Sequence, residues 1–304
     1  MDVKRLDGNP IISPDIHDSI GSNINGPSLV RVPPWVEDPL GEYYLYFADH
    51  GGESIRLAYA DDLTGPWTLY TPGALQLDDA GEGFDDHIAS PDVHVDDGRE
   101  RFRMYYHGCC DVYEDATGQA SQFTRVAMSD EGLDFTARAE PLGRFYFRVF
   151  EYEGASYALA KENRGDGQGE SGQRVYRSRD GVSGFEPGPL LFRDGSRHTA
   201  LRRRGDTLDV FYSRIGDAPE RILHASVDLE PDWLDWEASE PETLLEPERE
   251  WEGATEPVEA SEAGGIHEPV NQLRDPGIFE ENGRTYLLYS VAGERGIAIG
   301  ELAE

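Results

Sequence analysis

Short runs of alternating apolar and polar residues follow one another along the whole chain, and most end at a turn rich in Gly, Asp, Glu or Asn. This period of two is typical of half-buried β-strands, and Gly at the turns provides the positive φ that tight hairpins require. Five of the runs are rich in tyrosine or other aromatic residues; they occupy residues 43–46, 104–106, 157–159, 210–212 and 286–289. The pattern predicts an all-β chain.

The aromatic runs belong to a larger repeat of about 50 to 75 residues that occurs five times. In each repeat an innermost strand precedes the aromatic run, and a third alternating run follows in most of them. The innermost strands are predicted at residues 26–30, 90–93, 147–150, 198–201 and 275–279. Self-similarity at this period predicts a five-bladed β-propeller in which each repeat forms one four-stranded blade.

The fifth repeat ends before a fourth strand, whereas residues 3–12 have the character of the missing strand. We therefore expect the N-terminal strand to close the ring by pairing with the last blade, which removes exposed sheet edges. A chain of 304 residues fits one all-β domain. The predicted boundaries are residues 1–304 for this single domain, with blades at about 26–77, 90–143, 147–193, 198–246 and 275–302. The acidic stretch 246–265 is expected to form a long loop.

The amino-acid composition indicates the solvent conditions in which the protein works and argues against nucleic-acid and membrane partners. The chain has 60 acidic and 27 basic residues, a formal charge of −33, and only two lysines, Lys4 and Lys161. An acid-rich, lysine-poor surface keeps a protein hydrated where salt screens charge, so we expect a cytoplasmic protein of a salt-adapted organism. A nucleic-acid partner would need a basic patch on the protein, and a membrane partner would need an apolar span. The sequence shows neither feature, so neither partner is predicted. Oligomeric state is left open.

Functional residues are expected where the innermost strands begin, because these ends converge on the central channel. The polar candidates at or just before these points are Asn25, His87, Ser90, Asp92, Arg148, Arg197, His198, Gln272, Arg274 and Asp275. Each could instead satisfy turn backbone groups, as polar residues at strand starts often do. Their recurrence at equivalent places favours a binding or catalytic site.

Three features of these residues carry a family resemblance. The run Ser90-Pro91-Asp92-Val93 before a Tyr-Tyr strand, the tripeptide Arg274-Asp275-Pro276 and a central His198 make the chain similar to the five-bladed propeller glycoside hydrolases. This superfamily contains the arabinanases, xylosidases and invertases of glycoside hydrolase families 43 and 32. The resemblance implies a carbohydrate substrate or ligand.

The resemblance also implies roles for single residues. In the arabinanase and xylosidase branch, a blade-one Asp before Pro is the general base, a blade-two Asp tunes the acid, and a blade-three Glu is the acid. Asp92 matches the second role, whereas Gly26 stands before Pro27 and the run 147–150 has no Glu. Asp275 resembles the Asp of the invertase Arg-Asp-Pro, which stabilises the transition state.

Glycoside hydrolysis needs two carboxyl groups, one protonated and one ionised. Asp92 and Asp275 are therefore the predicted catalytic pair across the channel, with His198 or His87 as a proton donor. Glu268 or Glu256 of the long loop is the alternative acid, because both are near Asp275 in the sequence. The predicted substrate-binding residues are Asn25, His87, Arg148, Arg197, Gln272 and Arg274.

Three functions remain open at this point. The first is a glycoside hydrolase with a non-standard catalytic set, and the second a carbohydrate-binding propeller that has lost catalysis. The third is a protein-interaction propeller, disfavoured because channel arginines without an anionic or hydroxyl-rich partner are costly to bury. A central cation such as Ca²⁺ would suit His198 and the carboxylates, but no ligand spacing identifies one. No other cofactor is predicted.

Overall fold

Five antiparallel sheets form a ring, which confirms the predicted five-bladed β-propeller. The structure is a computed structural model that describes residues 1–114, 120–162, 172–193 and 195–303, with the backbone alone for residues 110–114, 120 and 121. Blades 1 to 5 follow chain order. Their innermost strands are β2 (Asn25–Arg31), β6 (Phe84–Asp96), β11 (Arg148–Tyr152), β15 (Ser196–Arg204) and β19 (Arg274–Glu281).

In blades 1 to 4 the outer three positions are filled in sequence order, and in blade 5 the second and third positions are. The second strands, which contain the aromatic runs, are β3 (Tyr43–Ala48), β7 (Arg101–Glu114), β12 (Ala155–Glu162), β16 (Thr207–Arg214) and β20 (Arg284–Ser290). The third strands are β4 (Ser54–Ala60), β8 (Ala120–Ser129), β13 (Gly172–Ser178), β17 (Ile222–Asp228) and β21 (Ile297–Ala303). The outermost strands of blades 1 to 4 are β5 (Thr68–Gln76), the short β9 (Thr136–Ala137) and β10 (Gly143–Arg144), β14 (Glu186–Phe192) and β18 (Glu242–Leu245).

The ring closes through the N-terminus, as predicted. The outermost strand of blade 5 is β1 (Asp2–Arg5), which runs antiparallel to β21 with Asp2 opposite Ala303. The strand is shorter than the predicted 3–12. The chain then leaves the sheet and returns at Ile12, whose backbone N–H donates to Ile297 at 3.2 Å while Ile297 donates back at 2.9 Å.

The aromatic strands are buried on both faces rather than half-buried, because each sheet packs against a neighbouring blade on either side. In β3, Tyr44 and Tyr46 pack towards blade 2, while Leu45 and Phe47 pack towards blade 5. Three tyrosines of the aromatic strands donate their hydroxyl groups to backbone carbonyl groups outside their own strands: Tyr46 to Gly132 at 2.8 Å, Tyr105 to Gly181 at 2.6 Å and Tyr106 to Ala80 at 2.6 Å. A buried tyrosine thus adds apolar surface to the core, and its hydroxyl group also provides a hydrogen bond to a turn carbonyl.

Residues 246–273 form a long connection that contains no strand and one short 3₁₀ turn, Glu250–Glu252. Glu252 is fully buried and pairs with Arg5 Nε at 2.7 Å, while the Tyr289 hydroxyl donates to it at 3.0 Å. The connection is therefore anchored to the closing strand. No helix among the described residues is long and apolar enough to cross a membrane.

Candidate functional site

Irregular strand starts create the site. The inner strands of blades 1, 2, 4 and 5 each carry a register shift near their first residues, between Asn25 and Ser28, Ala89 and Asp92, Ser196 and Thr199, and Arg274 and Gly277. Three shifts contain a residue of positive φ: Gly26 at 62°, Ser90 at 55° and Asp275 at 48°. Positive φ strains a residue with a side chain, and outside turns such strained residues cluster at functional sites. At Ser90 and Asp275 the polar side chain lies at the cleft.

A cleft lies where these strand starts meet. Its volume is about 40 Å³, and its polar lining includes Asn25, His87, Ser90, Arg197, His198, Asp275 and Glu294. The rim is formed by the more exposed Asp49 and His50 of blade 1, with Gln122 of blade 2. Five of the predicted site residues thus share one cavity: Asn25, His87, Arg197, His198 and Asp275.

His198 is the centre of a continuous hydrogen-bonded chain. Its Nε2 lies 2.6 Å from Ser90 Oγ, and its Nδ1 bonds Asp275 Oδ1. Ser90, His198 and Asp275 are 3%, 6% and 2% exposed, respectively. The Tyr146 ring covers the imidazole, with ring centroids 3.6 Å apart. Water therefore has little access to this chain from the Tyr146 side.

Charge and burial determine which of Ser90, His198 and Asp275 hold a proton. Burial raises the pKa of Asp275, but the charge and hydrogen bond of His198, with Arg274 and Arg197, outweigh burial and lower it to about 2. Burial lowers the pKa of His198, although Asp275 acts in the opposite direction. At neutral pH the carboxyl group is ionised and the imidazole is neutral. Nδ1–H then donates to Asp275, so Nε2 accepts from the Ser90 hydroxyl.

A layer of paired charges supports the cleft from behind. Arg274 is fully buried, with Nη1 3.1 Å from Glu294 Oε1 and Nε 3.3 Å from Glu220 Oε2. Arg197 Nε lies 2.8 Å from the other oxygen of Glu220. Gln272 Oε1 accepts from Arg274 Nε at 3.0 Å. Gln272 and Arg274, predicted to bind substrate, therefore hold the charges that line the cleft and do not line it themselves.

Asp92 lies in a different cavity. It lines a space of about 140 Å³ with His94 and Arg148, farther along the inner strands. Its Oδ2 accepts from Val149 N at 2.8 Å and lies 2.9 Å from His94 Nε2. Burial raises the pKa of Asp92, but His94 and Arg148 oppose it and lower the pKa overall. The structure therefore does not bring Asp92 and Asp275 together in one cavity, because the backbone shift after Ala89 changes which side chains face the cleft.

Arg148 lies between the two cavities. It is 4% exposed, and its Nη1 donates to the carbonyl groups of Ser90 and Pro91 at 3.2 and 3.1 Å, while Nε donates to Thr199 at 3.0 Å. These contacts hold the strained turn at Ser90 against blade 4. Arg148 thus positions the backbone under the cleft rather than pointing into the cleft.

Three residues at or behind the cleft were not predicted from the sequence: Glu220, Glu294 and His107. Glu220 lies between β16 and β17 and Glu294 between β20 and β21, outside every inner strand. His107, on β7, is 2% exposed, lines the cleft, and has no hydrogen-bond partner for Nδ1 among the described residues. A charged or polar residue that interrupts an apolar second strand, as His107 does after Tyr106, was the available signal.

Acidification is expected to destabilise the protein through His107. Burial lowers the pKa of His107 well below its ordinary value, and the surrounding basic groups His87, His198, Arg148 and His50 lower it further. Its folded pKa therefore lies below its unfolded pKa of about 6.5, so the unfolded chain binds the proton first. The free energy of unfolding should fall as pH drops below about 6.5, by up to about 1.4 kcal/mol per pH unit for this residue.

Denaturant unfolding measured between about pH 7 and pH 5 tests this. His107→Gln should flatten the acid limb of the profile, whereas His17→Gln, at an exposed position, should leave it unchanged. An acid limb equally steep in His107→Gln would assign the pH dependence to other groups.

The residues do not fit a central metal ion. Among the described residues, no group of three or more His, Cys, Asp or Glu is arranged to hold one. His198, the ligand considered from the sequence, already uses both ring nitrogens for Ser90 and Asp275. Binding a cation through it would break one of these bonds.

Comparison with known sequences identifies one full-length relative. The chain is 35% identical over 308 residues to uncharacterized protein R118 of Acanthamoeba polyphaga mimivirus, covering 91% of this chain and 82% of that protein. No family model matches the chain.

Several solved structures that superpose on this chain are described as glycoside hydrolases. An α-L-arabinofuranosidase from Lactobacillus brevis superposes with a TM-score of 0.65 at 15% identity, over 97% of this chain and 92% of that one. An endo-arabinase from Bacteroides thetaiotaomicron gives 0.64 at 16% identity, over 93% and 95%. A β-xylosidase/α-arabinofuranosidase from a compost metagenome gives 0.62 at 15%, over 99% and 96%. At these identities the likeness establishes the fold.

Proposed function

We propose that this chain binds and cleaves a carbohydrate at the cleft. The chain belongs to the family of mimivirus protein R118. By fold, it is a divergent member of the five-bladed propeller glycoside hydrolases. The observation that carries the proposal is the convergence of buried hydrogen-bonding groups from four blades on one cavity around an ionised Asp275. Hydroxyl-rich ligands suit such a lining, because each buried polar group needs a partner.

The size of the cleft limits how a sugar binds. A volume of about 40 Å³ admits a hydroxyl group or a small substituent, but not a pyranose or furanose ring. The ring would therefore lie across the rim, where Asp49, His50, His87 and Gln122 are accessible to its hydroxyl groups. One substituent would enter the cleft towards His198.

Asp275 is the proposed ionised carboxylate of the reaction. Its pKa of about 2 keeps it charged, which suits stabilisation of an oxocarbenium-like transition state but not proton donation. His87 is the proposed proton donor, because its Nδ1 is 2.7 Å from Asp86 Oδ2 while its Nε2 has no hydrogen-bond partner among the described residues and could meet a leaving oxygen. His198 does not fill this role in the glycoside reaction, since in the resting protein its Nδ1 proton is bonded to Asp275 and its Nε2 accepts from Ser90.

Replacing Asp275 with Asn is expected to lower turnover of a cleaved glycoside by at least about 10²-fold. The assay uses aryl arabinosides and xylosides with natural oligosaccharides, in molar potassium chloride because of the formal charge of −33. Asp78→Asn, at an exposed position of blade 1, is the matched control and should retain wild-type turnover. Equal turnover in Asp275→Asn and wild type would remove Asp275 from the mechanism.

A binding function without hydrolysis is the second candidate, and Gly26 favours it. This residue stands where the resemblance implies the general base, and no carboxylate from the described residues of blade 3 lines the cleft. Under this candidate, oligosaccharides raise the melting temperature of the wild type but give no product. Asp275→Asn would then lose the shift, because its charge holds the lining in place.

A further inference from the structure

We propose that Ser90 is a nucleophile, activated by His198 and Asp275, and that the cleft catalyses hydrolysis of small acyl esters. Ser90 Oγ lies 2.6 Å from His198 Nε2, and His198 Nδ1 bonds Asp275 Oδ1. Serine, imidazole and carboxylate thus occupy the order and the spacing of a catalytic triad, which is recognised by geometry and roles rather than by position in the chain. The three residues come from blades 2, 4 and 5.

The backbone at Ser90 presents its hydroxyl group to the cleft. Ser90 has φ 55°, it precedes a proline, and it lies within the register shift of β6. Nucleophilic serines on strained, sharp turns are exposed in the same way in other hydrolases. A hydroxyl group required only for hydrogen bonding to His198 would not need this strained conformation.

Gly26 lies directly against Ser90. A Cβ atom at Gly26 would lie 3.4 Å from Ser90 Cα and 3.8 Å from its Oγ, and the positive φ of 62° at this position would strain any residue with a side chain. The residue that departs from the glycosidase pattern therefore packs against the proposed nucleophile.

The cavity fits a small acyl group. A volume of about 40 Å³ corresponds to about three water-sized positions, enough for the three heavy atoms of an acetyl group. Buried His107 lines this cavity, and its Nδ1 atom has no hydrogen-bond partner among the described residues. In the tautomer that carries hydrogen on Nδ1, His107 would donate to the acyl oxygen as negative charge develops there.

The reaction follows from these positions. Oγ attacks the carbonyl carbon while its proton passes to His198 Nε2, and Asp275 stabilises the imidazolium ion. The ester C–O bond then breaks, and the alcohol leaves with the proton from Nε2. Water, deprotonated by His198, attacks the acyl-serine, which releases the carboxylic acid and restores the Ser90 hydroxyl. Where the alcohol is a sugar, the inference rests on the proposed function; the ester chemistry itself does not.

The test uses p-nitrophenyl acetate, which contains no sugar. We expect release of p-nitrophenol and, after rapid acid quenching, an acetyl group on the peptide that contains Ser90, detected by mass spectrometry. Ser90→Ala should lower the rate at least about 10²-fold and remove the acetyl peptide. Ser19→Ala is the matched control, because Ser19 Oγ also bonds a histidine, His17 Nδ1 at 2.8 Å, but on the surface; it should retain the wild-type rate.

Ser90→Gly separates reactivity from folding. Glycine adopts a φ of 55° without strain, so this variant should melt no lower than Ser90→Ala and still lose activity. A folded Ser90→Gly with the wild-type rate, or an acetyl group found elsewhere, would overturn the proposal. Retained glycoside turnover or sugar-induced stabilisation in Ser90→Gly would show that the carbohydrate site stands independently of the ester chemistry.

Discussion

Replacing Arg274 with Met is expected to lower the free energy of unfolding by about 3 to 5 kcal/mol, because it leaves buried carboxylates without their cation. Arg274 is fully buried between Glu220, which is also fully buried, and Glu294, which is 4% exposed. A buried charge loses its hydration and regains it only through such pairing. Urea unfolding at neutral pH, monitored by tryptophan fluorescence, measures the loss.

Arg31→Met is the matched control for this prediction. Arg31 also contacts two carboxylates, Glu42 and Glu281, but half of its side chain is exposed. Solvent screens such pairs, so the loss of stability should be much smaller than for Arg274→Met. Adding Glu294→Gln to Arg274→Met should recover part of the loss. Equal costs for the two arginine variants would contradict the view that Arg274 neutralises the supporting layer.

Removing residues 1–12 is expected to cost more than any single substitution. The deletion exposes the edge of β21, breaks the Arg5–Glu252 pair, and removes Ile11 and Ile12, which are 5% and 0% exposed. Each isoleucine alone contributes about 1.5 to 3 kcal/mol through burial. The sum reaches the total stability of an ordinary domain, so we expect a large fall in melting temperature and aggregation through the open edge.

Two further samples make this result specific. A double substitution of the exposed Asp2 and Lys4 by Ala keeps the backbone pairing of β1 and should melt close to wild type. A synthetic peptide of residues 1–12, added to the truncated chain, should restore much of the melting temperature by completing blade 5. Truncation without a change in melting temperature would show that closure through β1 contributes nothing.

The architecture was predictable because its signals are local and repeated. The aromatic runs, the Gly-containing turns and the missing fourth strand of the fifth repeat are all visible in the sequence, and they predict the blades and their closure. Burial of β3 on both faces was not predicted. Alternation in this strand distinguishes two neighbouring blades, Tyr44 facing one and Leu45 the other, rather than core from solvent.

The site was only partly predictable, for reasons of register and distance. Asn25, His198 and Asp275 were found because they stand at strand starts. Asp92 was assigned to the wrong cavity, since the shift between Ala89 and Asp92 changes the direction of its side chain and no sequence period records such a bulge. Glu294 reaches the cleft from a connection after β20, which only the closed ring brings close.

Closure by β1 also sets an order of events during synthesis. Among the described strands β1 is made first and pairs with β21, which is made last, so blade 5 is completed only after the strands of the other four blades have been synthesised. Contacts of such long sequence separation slow folding. We expect the nascent chain to depend on chaperones most strongly just before its last blade emerges.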